Sequence, residues 1–102
     1  MKVIVKEEYG DGAQLWFGVP TWDPAGRSGE MSVKYAYRAK GGGRWARTSP
    51  EVPESVVLDM LVMLNRQGRL LAVLRNAARL PALRDEVKGL ITTLERVLKE
   101  VR

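Results

Sequence analysis

The chain has 102 residues and a formal net charge of +5 with a pI near 9.9, a length that is normally one domain with a modest core and a balance that favours polyanionic partners. It holds no cysteine and no histidine, which excludes a disulfide framework, a thiol nucleophile, a zinc site built on those ligands and any Ser-His or Cys-His mechanism. Asp59 interrupts the best apolar run at residues 56–64, short of the roughly 20 residues that span a bilayer, and residues 2–6 lack the apolar core of a signal peptide, so a soluble cytoplasmic protein is expected.

Residues 1–9 are rich in β-branched side chains and meet Gly10-Asp11-Gly12, after which residues 13–19 include Leu15, Trp16 and Phe17. This predicts a β-hairpin with a short glycine-containing connection. Residues 20–30 contain Asp23-Pro24-Ala25-Gly26 and form a turn loop with Trp22 near its tip. Residues 31–40 alternate, placing Val33, Tyr35, Tyr37 and Ala39 on one face and Lys34, Ala36, Arg38 and Lys40 on the other. Gly41-Gly42-Gly43 can turn the chain into a short strand at residues 44–48, which completes a small antiparallel sheet of three or four strands.

From Pro53 the period changes. Pro53 suits a first helical turn, Glu54 suits the helix dipole, Val56, Val57, Met60, Leu61 and Leu64 recur at helical spacing, and Gly68 is a stop. Residues 70–80 continue as helix, and Pro81 either kinks it or opens a new one. Leu83, Val87, Leu90, Leu94, Val97 and Val101 then follow alternating steps of four and three, a coiled-coil seam about three heptads long. These six residues are the oligomerisation candidates, and an amphipathic helix covering the chain's own core is the competing reading. Ile91 and Leu98 widen the seam. The expected fold is α+β, a small antiparallel sheet packed by helices, with residues 1–80 as the sheet-plus-helix region and residues 81–102 as a C-terminal extension.

All seven aromatic residues lie within the first 45 positions. Beside them, Lys34, Arg38, Lys40, Arg44 and Arg47 supply five positive charges and no acid within residues 31–48. Aromatic platforms and cations together suit single-stranded nucleic acid, DNA or RNA. The candidate contacts are Trp16, Trp22, Tyr35, Tyr37, Arg38, Lys40, Arg44, Trp45 and Arg47. Trp22 in its polar loop and Trp45 between arginines are the best stacking candidates, whereas Tyr35 and Tyr37 are either adjacent platforms or the packed side of the sheet. If the tyrosines stack on bases, the lysines and arginines of that strand point the other way and must reach around an edge. The triple glycine matches no phosphate-loop pattern, and Glu7 and Glu8 project to opposite faces of a strand, so they make no catalytic pair. A second acid-free stretch, residues 60–84, holds Arg66, Arg69, Arg75, Arg79 and Arg84.

In the order of these features the chain resembles the ThermoDBP family, archaeal proteins regarded as single-stranded DNA-binding factors. The resemblance lies in Leu15-Trp16-Phe17, Trp22, Tyr35-Ala36-Tyr37-Arg38 and Arg44-Trp45-Ala46-Arg47, followed by helices that end in the zipper of residues 83–101. It implies an aromatic-lined cleft flanked by basic residues that holds the strand, and a C-terminal zipper that joins subunits. The chain differs in having a single phenylalanine, where that family's cleft is mainly phenylalanine-lined, and a short zipper. The expected function is therefore non-catalytic, largely sequence-independent binding of single-stranded nucleic acid by a homodimer or larger oligomer, with no cofactor, no small-molecule substrate and no membrane partner. The alternatives are a protein-interaction module, a double-stranded DNA regulator acting through the arginine-rich stretch, and, last, a phosphate-processing enzyme.

Overall fold

The computed structural model describes residues 1–9, 12–46 and 49–101. Among these, four strands precede three helices: β1 (Lys2–Tyr9), β2 (Ala13–Val19), β3 (Ser32–Tyr37), β4 (Glu51–Pro53), α1 (Glu54–Arg66), α2 (Leu70–Ala78) and α3 (Pro81–Glu100). The strands form one antiparallel sheet in the order β1-β2-β3-β4. The fold is α+β, with the change from period two to period 3.6 falling at Glu54, one residue beyond where the sequence places it.

β1 and β2 pair from Tyr9↔Ala13 to Lys2↔Val19, with a register shift between Val3 and Val5 that leaves Ile4 as the extra residue of a bulge. Gly18 permits this crowding. A Cβ built there would stand 2.1 Å from the Lys2 carbonyl oxygen, so any side chain would push β1 away.

The β2–β3 loop is held by Asp23, whose carboxylate accepts the N–H groups of Arg27 at 3.1 Å and Ser28 at 2.9 Å and the Ser28 hydroxyl at 2.6 Å. These donors, led by the Ser28 hydroxyl, hold the Asp23 carboxyl below its ordinary pKa. Where the loop meets α1, the Met31 N–H donates to the Glu54 carboxylate at 3.0 Å, and the Glu54 N–H donates to the Met31 carbonyl at 3.0 Å. The Glu30 carboxylate accepts both the N–H and the hydroxyl of Ser55, satisfying a donor that the helix cannot pair internally.

Two local expectations are corrected. The strand predicted at residues 44–48 is reduced to a single bridge, Arg38↔Trp45, flanked by Ala39 N–H to Arg44 O at 2.7 Å and Ala46 N–H to Tyr37 O at 2.8 Å; residues 47 and 48 lie outside the described residues. Gly41 and Gly42 adopt φ of +100° and +80°, and glycines in a turn bring no side chains to extend a ladder. The fourth strand is instead Glu51–Pro53, paired with Ser32–Lys34. Pro53 thus closes an edge strand, where a missing N–H is harmless, and α1 begins one residue later.

The chain divides into two compact units, Met1–Met60 and Leu61–Arg102. In the first, the buried residues among those described are small: Ala13, Gly18, Pro20, Ser32, Ala36, Ala46 and Ser49. In the second, Gly68 at φ +68° terminates α1. Leu80 is extended with ψ 122°, and Pro81 occupies the first turn of a new helix. α2 contacts α3, and Val87 is the buried residue of α3.

Candidate nucleic-acid interface

Cross-strand partners in an antiparallel sheet share a face, so the register sorts the sequence candidates into two groups. Lys6, Trp16 and Lys34 stand opposite one another on β1, β2 and β3. On the other face, Glu7, Leu15 and Tyr35 form one row and Tyr9, Ala13 and Tyr37 the next.

The first face is built around two indoles. Trp16 sits between the lysines, with Lys6 Nζ 4.8 Å and Lys34 Nζ 5.3 Å from its ring centroid. Its Nε1–H donates to Gln14 Oε1 at 2.8 Å, and Gln14 Nε2 donates to Glu8 Oε1 at 2.7 Å, which fixes the ring's rotamer through same-face neighbours. Trp45 meets Trp16 edge to face, centroids 5.5 Å apart at 76°. The bridge that pairs Arg38 with Trp45 also lays the Arg38 guanidinium 3.8 Å over the Trp45 ring. All three cations lie within the range over which a ring quadrupole attracts positive charge. None has a carboxylate partner: the ion pairs among the described residues are Met1 ammonium with Glu51 and Arg96 with Glu100. A guanidinium stacked on an indole keeps its in-plane N–H donors for other acceptors, and each ammonium keeps three.

On the second face, Tyr9 and Tyr35 meet at 5.7 Å and 85°, and Tyr35 and Tyr37 at 5.9 Å and 35°. Tyr9 is 55% and Tyr35 48% exposed, and Phe17 is also exposed. Tyr35 and Tyr37 are therefore adjacent and accessible, yet opposite to Lys34 and Arg38. The charge of β3 shares its face with the tryptophans.

Trp22 is 52% exposed in the loop that follows Val19, at the end of the sheet opposite the Arg38–Trp45 bridge, so it is not brought together with Trp45. Lys40 and Arg44 are exposed on the glycine turn beside that bridge. Arg47 lies outside the described residues. Sequence reasoning missed Lys6 altogether and left Lys34 out of the contact set. The signal for both was the hairpin register, which sets them across from Trp16.

Of the oligomerisation candidates, Val87 is buried within the helical unit, where it lines an apolar groove of about 150 Å³ with Leu61, Leu70, Leu74, Leu90 and Leu94. Leu83, Leu90, Leu94, Val97 and Val101 are exposed, Leu94 at 62% and Val101 at 73%. Three members of the seam, Val87, Leu90 and Leu94, thus line the chain's own groove, with Val87 buried there, and Leu83, Val97 and Val101 lie outside it and are exposed. No helix among the described residues is long and apolar enough to cross a membrane.

The chain matches no protein-family model, no curated protein and no solved structure.

Proposed function

We propose that this chain binds single-stranded nucleic acid, DNA or RNA, without catalysing a reaction and with little sequence preference, across the Trp16–Trp45 face of the sheet. The supporting observation is that Lys6, Lys34 and Arg38 all rest on those two indoles and lack acidic partners among the described residues. Phosphates attract the three cations, with Lys40 and Arg44 extending the basic track. A cation drawn from its ring onto a phosphate uncovers an indole face, and a base stacks there in its place. Base stacking needs unpaired bases, which favours single strands over duplex. The resemblance to the ThermoDBP family agrees with this function and with a cytoplasmic homodimer or larger oligomer joined through the exposed residues of α3.

The test is a tryptophan-fluorescence titration with oligo(dT), an RNA oligonucleotide and a duplex of equal length. Quenching by the single strands, at lower concentration than the duplex, is the expected result. Equal affinity for duplex, or unchanged emission on binding, would overturn the proposal.

A protein-interaction module is the second reading, favoured by the exposed Tyr9, Phe17 and Tyr35 on the opposite face. It requires that oligonucleotides fail to bind at low salt.

A further inference from the structure

We infer that the helical unit carries a second surface for nucleic acid, one that grips the phosphodiester backbone alone and is formed by Arg69, Arg75 and Arg79 around α2 together with Arg84. The choice of nucleic acid as the polyanion rests on the function proposed for the sheet; the basic surface itself does not.

Residues 60–84 contain five arginines and no aspartate, glutamate or lysine. All five are exposed, and none forms an ion pair among the described residues. At about 100° per residue, Arg69, Arg75 and Arg79 fall within a sector of roughly 120° on α2. Asn76 lies in the same sector, and Leu70 and Leu74, which line the apolar groove, project from the far side. Arg84 Nε reaches the Ala78 carbonyl at 3.5 Å, which brings its guanidinium to the turn that carries Arg75 and Arg79.

Helix stability alone explains only part of this placement. Arg75 and Arg79 lie at the C-terminal end of α2, where the helix dipole favours a cation. Arg69, however, is the N-cap of α2, and Arg84 starts in the first turn of α3 but lays its guanidinium on a C-terminal carbonyl of α2. A positive charge is disfavoured at a helix start. Neither helix has an acid in its first turn. α2 is therefore positive at both ends, and Arg75 and Arg79, one turn apart, repel each other. A polyanion relieves all of these repulsions at once.

The residue types specify which part of the nucleic acid is read. Arginine presents a rigid fork that matches phosphate oxygens in pairs. The helical unit has no aromatic residue, so it offers no stacking platform, and its contact is indifferent to base identity and to strandedness. The sheet, by contrast, joins Lys6, Lys34 and Arg38 to indoles. The two surfaces also differ in signal: every tryptophan lies in the first unit, so binding at the arginines alone leaves the emission unchanged.

The test uses the full chain and the double variant Arg75→Gln with Arg79→Gln, which retains Arg84 and its hydrogen bond; glutamine is a good helix former. Binding of end-labelled oligo(dT) and duplex is followed by anisotropy across a salt series, with tryptophan emission recorded in parallel and helix content checked by circular dichroism. The double variant should flatten the log–log salt slope by up to about 1.4 on the single strand and about 1.8 on duplex, with maximal tryptophan quenching retained. Slopes equal to wild type on both ligands would overturn the inference. Wild-type binding to phosphatidylserine vesicles that the double variant loses, with unchanged DNA slopes, would also overturn it by assigning the surface to a membrane. If wild type shows no quenching with any strand while the double variant still flattens the slope, the sheet proposal fails and this one stands.

Discussion

Changing Lys34 and Arg38 together to glutamine separates a nucleic-acid surface from a packing cluster. Their charged groups lie 5.3 Å and 3.8 Å from the Trp16 and Trp45 centroids. Each exposed cation–π contact contributes about 0.5–1 kcal/mol, so the variant should lose about 1–2 kcal/mol of stability. At 4–8 °C per kcal/mol for a chain of this size, its melting temperature should fall by roughly 4–16 °C. On binding, two lost phosphate contacts to a single strand should flatten the log–log salt slope by about 1.4. If the variant and wild type converge near 1 M salt, the variant is then about 25-fold weaker at 0.1 M. The assay is anisotropy of labelled oligo(dT) over a salt series, at a temperature where circular dichroism shows both proteins fully folded. A melting temperature that falls as expected with an unchanged slope would refute the proposal, because the cations would then serve the rings and not the phosphates.

Trp45→Ala should weaken single-strand binding by about 1–3 kcal/mol with little change in slope; a folded variant that binds like wild type would remove Trp45 from the contact set. Gly18→Ala, whose Cβ would sit 2.1 Å from the Lys2 carbonyl oxygen, should cost about 1–3 kcal/mol by displacing β1 and should alter tryptophan emission as Lys6 leaves Trp16, both readable in one thermal melt. The Asp23 carboxyl is held below its ordinary pKa by Ser28; burial raises that of Glu51, but hydrogen bonds from Thr21 and Ser32 and the positive charge of the Met1 ammonium outweigh it, so Glu51 too lies below its ordinary value. Depressed folded-state values give stability that is full above about pH 5 and lost as pH falls through the folded pKa values; the melting temperature should drop on acidification, less so in Glu51→Gln. Val97→Lys, on the exposed part of the α3 seam outside the groove, should lower the mass seen by light scattering, and an unchanged mass would place any assembly elsewhere.

Parity along β3 is readable because alternation needs only one strand, and it places Lys34 and Arg38 opposite Tyr35 and Tyr37 from the sequence alone. Which tryptophans join those cations was not readable in the same way, since that depends on register between strands. For Trp16 the register follows from the tight β1–β2 connection, so Lys6 was within reach of sequence reasoning. For Trp45 it depends on one bridge across a glycine turn, where no side chains mark the pairing. β4 escaped because three residues next to prolines give too short a pattern to set against a loop. The α3 heptad shows a different limit: Val87, Leu90 and Leu94 line a groove within their own unit, while Val97 and Val101 remain outside it and exposed, and a step of three and four is the same in both cases. Hydrophobic period identifies a face that must be covered, and only the bounds and contacts of α2 decide which part the chain covers itself. The same bounds turn the arginines of residues 60–84 from a composition into a surface, because Arg69, Arg75 and Arg79 share one side only if a single uninterrupted helix carries them.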